Sequence, residues 1–244
     1  MSSSIMKSLV IGASSEIGKQ LVNRLCSDQC IDRVYAVSRR PVEAILSKKV
    51  SWIVCDYKEL DIAKAVQVLK DEPGDFIRVF ICNGILHEGD NIFPEKRLED
   101  IDLSSVEEVF KVNTFTPLIW LKHLLEPLRS HQLCTLTLFS ARVGSISDNK
   151  LGGWYSYRAS KAALNMLIKT ASIEYARRAK NVQLVAFHPG TTDTALSRPF
   201  KKNVPPEKLF SAEFVAAQLL SILDNIKKVG DALYIDWQAN EIQW

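Results

Sequence analysis

Short apolar runs alternate along this chain with longer segments whose apolar residues recur every three or four positions. A continuous apolar run bounded by turn residues reads as a buried strand, and the wider period as one face of a helix. Strands are predicted at Ser8 to Ile11, Arg33 to Ser38, Val50 to Cys55, Phe76 to Cys82, Leu133 to Phe139, Val182 to Phe187 and Ala232 to Ile235. Helical spacing follows the first strand through Leu21, Val22 and Leu25, and spans Ile62 to Leu69 before Pro73-Gly74 breaks it. A long helix begins at Ser104 or Ser105, each with a Glu three residues on as in a capping box. Further helices run from the Tyr157 region to about Arg178 and over about Ser211 to Ile226. Two segments lack regular pattern: the polar stretch Leu86 to Leu103, and Ala195 to Phe210 with its three prolines, part of a mobile substrate loop at about 191–210. Strands alternating with helices, without linker or repeat, predict an α/β fold: one doubly wound parallel sheet of about seven strands in a single domain, 1–244.

Composition supports a folded chain and narrows its partners. With 244 residues, 47% hydrophobic and 24% charged, it has enough apolar surface for a substantial core. The net charge is only +3, and the basic pairs are short and scattered, so no nucleic-acid surface is indicated. Five cysteines, three of them in strand-like runs, read as reduced core residues of a cytoplasmic protein. Cys26 and Cys30 have metal-like spacing but no second pair of ligands, so no metal is expected. The amino terminus lacks the apolar core of a signal peptide, and no run is long enough to span a membrane.

Candidate chemistry sits at the strand exits. Gly12-Ala13-Ser14-Ser15-Glu16-Ile17-Gly18 lies between a strand and a helix, where glycines let the backbone approach a diphosphate and the helix N-terminus offers free N–H groups. The second strand ends at Ser38 and is followed by Arg39, a guanidinium where a ribose-binding carboxylate would otherwise stand, which favours NADP over NAD. Within the long helix, Pro117 deprives the Asn113 carbonyl of its usual donor. Tyr157 and Lys161 are four apart and so share a helix face, where a nearby positive charge is expected to lower the phenol's pKa for proton exchange with a hydroxyl or carbonyl.

In this order, these motifs resemble those of the short-chain dehydrogenase/reductases over essentially the whole chain. The block Gly152-Gly153-Trp154-Tyr155-Ser156-Tyr157-Arg158-Ala159-Ser160-Lys161, the turn His188-Pro189-Gly190-Thr191-Thr192-Asp193-Thr194 and the terminal Trp244 resemble the branch named after the bacterial C-factor. The resemblance implies a Rossmann fold and an oxidoreductase moving hydride between NADP and a carbonyl or alcohol. It implies Tyr157 as general acid/base, Lys161 as its partner and a ligand of the nicotinamide ribose, and Asn113 as holder of a proton-relay water. For the cofactor it implies Gly12, Ser14, Ser15, Ile17 and Gly18 at the diphosphate and Asp56 at the adenine. Asn83 and Gly84 correspond to the motif after the fourth strand, and Pro189, Gly190, Thr192 and Thr194 to the turn under the nicotinamide. A homodimer or homotetramer packed through the long helices is also implied.

Three departures matter. Ile11 and Glu16 stand where a threonine and the middle glycine are usual, and a carboxylate near a diphosphate is unfavourable unless it points into solvent. Cys82-Asn83-Gly84 replaces the usual Asn-Ala-Gly. Counting back three residues from Gly144, Ala141 occupies the place of the substrate-holding serine, with Ser140 and Ser145 as candidate substitutes. Losing such a donor commonly costs about a hundredfold or more in rate. The alternative to a reductase is therefore a cofactor-binding signalling or regulatory protein with weak or no turnover.

Overall fold

The computed structural model describes residues 5–40, 47–89, 91–227 and 230–244; Met1 to Ser4 and Pro41, which follows the arginine pair, lie outside them. The central strands are β1 (Met6–Ile11), β2 (Arg33–Ser38), β3 (Val50–Val54), β4 (Asp75–Ile81), β5 (Cys134–Phe139) and β6 (Val182–His188). After two short strands, β7 (Thr191–Thr192) and β8 (Leu209–Phe210), comes β9 (Leu233–Asp236). Seven of them form one parallel sheet in the order β3-β2-β1-β4-β5-β6-β9. Helices cover both faces, so the central strands are buried on both sides and read as unbroken apolar runs, whereas β3, at the sheet edge, leaves Ser51 and Val54 exposed.

Alternate residues of one strand feed opposite cores. Leu9 and Ile11 join Ile62 and Leu69 of α2 (Glu59–Asp71), Trp120 and Leu124 of α4 (Thr116–Leu124), and Leu164 and Ile168 of α5 (Tyr155–Arg178). Val10 joins Leu21 and Leu25 of α1 (Glu16–Ser27) and Leu219 of α6 (Ala212–Asp224) on the other face. Chain order reverses between β1 and β4, the crevice where open α/β sheets bind ligands at their carboxyl ends.

Two local expectations change. The long helix starts as α3 (Leu103–Phe110), capped by Asp102, whose carboxylate accepts the Ser105 N–H at 2.9 Å, so neither serine is the cap. A carboxylate one turn from the dipole's positive end is also the better electrostatic choice. Between α3 and α4, Lys111–Phe115 forms one π turn ahead of Pro117, the wider winding that absorbs the missing donor.

Gly144, in the turn after β5, lies against the α5 backbone: a Cβ there would come within 2.9 Å of the carbonyl carbon and Cβ of Lys161. Gly144→Ala must push α5 outward and is expected to lower stability by about 1–3 kcal/mol in chemical denaturation. An unchanged midpoint would mean that this packing yields without cost.

Candidate active site

The chain leaves β1 at Gly12, whose φ of +78° and approach to β4 both require glycine: a Cβ would sit 3.1 Å from the Cys82 carbonyl carbon. The N–H groups of Gly12 and Ala13 both donate to the Val37 carbonyl, at 2.9 and 3.0 Å. Ser15 then caps α1, its Oγ accepting from the Gly18 N–H at 3.1 Å and donating to the Gly12 carbonyl at 2.8 Å. The first turn of α1 leaves backbone N–H groups without intrahelical partners, the arrangement that attracts anions. Glu16, in that turn, does not simply face water. Its Oε1 accepts the Ala195 N–H at 2.9 Å, and the Ala195 carbonyl lies 2.9 Å from His87 Nε2, so the 191–210 segment is tied to α1 and to the loop after β4.

A cleft of about 500 Å³ opens over the carboxyl ends of the strands. Of the residues singled out by sequence, Ser15, Ile17, Asn83, Gly84, Tyr157 and Lys161 line it, as do Pro189, Gly190, Thr192 and Thr194. Gly12, Gly18 and Asn113 are buried and Ser14 is exposed, all four outside its lining. Arg39 is exposed at the exit of β2, and Asp56 is exposed and paired with Lys58 at 3.0 Å. Sequence reasoning assigns no role to Tyr57, which adopts a φ of +61° and donates its hydroxyl to the Val37 carbonyl at 3.3 Å, beneath the glycine turn. Burial pushes that phenol up to about 12.

The expected reaction centre comes together. Tyr157 and Lys161 are both buried on α5, with the Lys161 ammonium 5.9 Å from the Tyr157 ring centroid. The ammonium donates to the Phe139 carbonyl at 2.8 Å. Asn113 is fully buried in the π turn; its side chain accepts the Ile85 N–H at 2.8 Å and donates to the Ile85 carbonyl at 2.9 Å and to Ser160 Oγ at 3.1 Å. Gly84 lies between them: a Cβ there would be 3.7 Å from both Asn113 Oδ1 and Lys161 Nζ. The electrostatics run opposite to the simple spacing argument. Burial penalises both ions, so the Lys161 ammonium falls to about 8, while the Tyr157 phenol rises above its ordinary value, Tyr234 adding to the rise. At neutral pH the site holds a protonated phenol beside an ammonium that is still charged.

Position 141 is a methyl group. Ala141 packs with Leu86 and Tyr157; of the two neighbouring serines, Ser140 lines the cleft and Ser145 does not. Ser140 Oγ donates to Asn165 Oδ1 at 2.6 Å in a buried pair, and Ser145 Oγ lies 3.2 Å from Ser147 Oγ, outside the cleft lining. Unforeseen lining residues are Arg142, held by Asp236 at 2.9 Å, and His188, whose Nδ1 is buried without a hydrogen-bond partner among the described residues. Burial and the Arg142 charge lower His188 to about 4, so its ring is neutral at pH 7.

The sequence model of the short chain dehydrogenase family matches residues 7–205. The chain belongs to that family of oxidoreductases. It is 29% identical to the C-signal of Myxococcus xanthus over 147 residues, 60% of this chain and 83% of that protein. It is 24% identical to the uncharacterized oxidoreductase TDA5 of Saccharomyces cerevisiae over 205 residues, 83% of this chain and 59% of that protein. Its fold is that of the NADPH-bound carbonyl reductase from chicken fatty liver, with a TM-score of 0.80 and 21% identity over 99% of this chain and 100% of that one. Among the described residues no helix is long and apolar enough to cross a membrane, and no group of acidic, His or Cys side chains could hold a metal.

Glu16→Ala removes the acceptor for Ala195, whereas Glu16→Gln keeps an acceptor oxygen. Losing one such bond, worth about 1 kcal/mol, should raise tryptic cleavage after Lys201 and Lys202 about fivefold in Glu16→Ala and leave Glu16→Gln near wild type. Equal cleavage in all three proteins would show that this bond does not hold the segment.

Proposed function

We propose that this protein is an NADP-dependent carbonyl reductase in which Tyr157 donates the proton. The observation that carries the reading is a buried, protonated phenol and a buried ammonium on one face of α5, in a cleft that also receives the N-terminus of α1. The glycine turn and α1 fit a dinucleotide: Gly12 lies too close to Cys82 to admit a side chain, and Gly18 packs so tightly that a Cβ would be 2.5 Å from the Gly12 carbonyl. NADP, when bound, supplies the hydride. Ser14, Ser15, Ile17 and the free N–H groups of α1 hold its diphosphate, with Asp56 at the adenine and Asn83 and Gly84 along the crevice. Pro189, Gly190, Thr192 and Thr194 support the nicotinamide end, under the substrate segment 191–210. Arg39, exposed beside Ser38 with no carboxylate at that strand end, selects the 2′-phosphate.

Tyr157 gives its proton to the substrate oxygen, and the Lys161 charge favours the phenolate left behind. Asn113 fixes Ile85 and Ser160 with its side chain, which leaves its backbone carbonyl, facing the donorless Pro117, as the acceptor for a relay water. Exposed Phe115 on the π turn, with Met166 and Ile173 on α5, supports a homodimer or homotetramer packed through these helices. Five free cysteines support a reducing, cytoplasmic setting. The methyl of Ala141 and the likeness to C-signal favour one other reading, a cofactor-binding signalling protein with weak turnover.

Fluorescence titration with NADPH and NADH tests the cofactor. Wild type is expected to prefer NADPH, and Arg39→Ala to lose about tenfold in NADPH affinity with NADH unchanged; equal losses for both would remove Arg39 from this role. The pH profile tests the chemistry. Lys161 is charged below about 8 and Tyr157 remains protonated well above it, so reductive turnover should be flat up to about pH 8 and then fall about tenfold per unit. A rate that rises above pH 8 would assign the reaction to a deprotonated group. Tight NADPH binding with no turnover on any carbonyl would favour the signalling reading.

A further inference from the structure

The loop between β4 and α3 is fastened to α5 at two points, one on each side of Tyr157. At the first, the Asn113 side chain bonds both the Ile85 backbone and Ser160 Oγ. At the second, Glu95 holds the start of the helix twice: its backbone carbonyl accepts the Trp154 N–H at 2.5 Å, and its carboxylate Oε2 accepts the Ser156 N–H at 3.1 Å. Tyr157 is the next residue along. Leu86, between the two ties, packs against Tyr157 and Ala141.

The start of α5 needs this outside help. Its N-cap residue is Trp154, whose side chain makes no capping bond and has no acceptor for the first-turn N–H groups. Gly152, Gly153 and Trp154 also pass through the left-handed region in succession, with φ of +65°, +64° and +54°, and a bulky residue holds that conformation only where its surroundings impose it. Arg158 satisfies the turn from within the helix, donating to the Gly153 carbonyl at 2.9 Å and to the Gly152 carbonyl at 3.1 Å. Glu95 satisfies it from outside. Its side chain is buried in a residue only 4% exposed and makes no ion pair among the described residues, so a first-turn N–H and the positive end of the helix dipole are what favour it there. Burial governs the protons of Tyr157 and Lys161, with Tyr234 adding to the first, so what Glu95 supplies is position. Building on the reductase reading, we propose that Glu95 is a positioning residue for proton transfer: by capping α5 from the opposite loop it fixes the first turn of the helix, and with it the Tyr157 hydroxyl that meets the substrate oxygen. A displacement of about 1 Å in a reacting group can cost about a hundredfold in rate. The Trp154 ring, 6.1 Å from the Tyr157 ring and 5.2 Å from Phe200, is held by the same cap, so the cleft rim and its proton donor are fixed together.

Three substitutions separate the cap from the charge. Glu95→Gln keeps an oxygen for the Ser156 N–H, Glu95→Asp keeps the charge on a side chain one methylene too short, and Glu95→Ala keeps neither; the backbone bond to Trp154 stays open to all three. On a panel of small ketones and aldehydes, Glu95→Ala and Glu95→Asp are expected to lose about thirtyfold or more in kcat with KM for NADPH within about twofold of wild type, and Glu95→Gln to stay within about threefold in both. The fall in turnover above pH 8 should keep its midpoint in Glu95→Gln, because Glu95 does not set the Lys161 proton. Amide hydrogen exchange read by mass spectrometry follows the cap without turnover. Peptides covering 154–158 should exchange about tenfold faster in Glu95→Ala and Glu95→Asp than in Glu95→Gln or wild type. Equal losses of kcat, NADPH affinity and denaturation midpoint in all three variants would overturn the proposal, because they describe a stability role alone, and so would a wild-type kcat in Glu95→Ala. Should Glu95→Ala fail to fold, Glu95→Asp against Glu95→Gln decides the same question. Exchange that responds to Glu95 in a protein that reduces no carbonyl would uphold the cap and refute the reductase reading. Carbonyl reduction with kcat and exchange indifferent to Glu95 would do the reverse.

Discussion

Burial of an ammonium is the constraint on which this site depends. Lys161 is 3% exposed; burial lowers its ammonium to about 8, and the Phe139 carbonyl accepts from it at 2.8 Å at the end of a central strand. An unpaired ammonium in such a place would give up its proton. The same burial raises the Tyr157 phenol, so one desolvated pocket sets both groups in the state that the proposed reduction requires. The protonation states of Tyr157 and Lys161 are products of packing as much as of sequence spacing.

The rest of the fold can be read as support for that pocket. Asn113 ties the β4 exit loop to α5 through Ile85 and Ser160, and Thr114 Oγ1 donates to the Ser160 carbonyl at 2.8 Å. Ser160 Oγ in turn donates to the Tyr157 carbonyl at 2.9 Å. These bonds require the wide π turn, which brings two successive side chains onto α5 and which Pro117 stabilises by declining the normal helical bond. On the other side Gly144 lets the β5 turn touch Lys161 directly. Three elements thus converge on two side chains without a loop long enough to blur their positions.

What could be read from the chain follows from how local each signal is. Strand positions were legible within a residue or so because parallel strands are apolar on both faces, and the Tyr157–Lys161 face because helical geometry fixes it. The direction of the Tyr157 shift was not, since spacing reveals a neighbouring charge but not the low-dielectric surroundings that outweigh it. The Glu16–Ala195 bond joins residues 179 apart and leaves no local trace. The left-handed backbone at Gly152, Gly153 and Trp154 was not foreseen from the chain, and it is set by the distant contact with Glu95. The α3 start was misplaced because two serines with well-spaced glutamates imitate a cap that Asp102 in fact provides.

The central claim is that a buried, protonated Tyr157 delivers the proton. Single-turnover reduction of a small panel of ketones and aldehydes by wild type and Tyr157→Phe, each saturated with NADPH, tests it most directly. The account predicts that the variant binds NADPH as wild type does and loses about a hundredfold or more in the rate of the chemical step. A variant that binds NADPH normally and reduces the same carbonyls at the wild-type rate would contradict it, because the proton would then come from another group or from water.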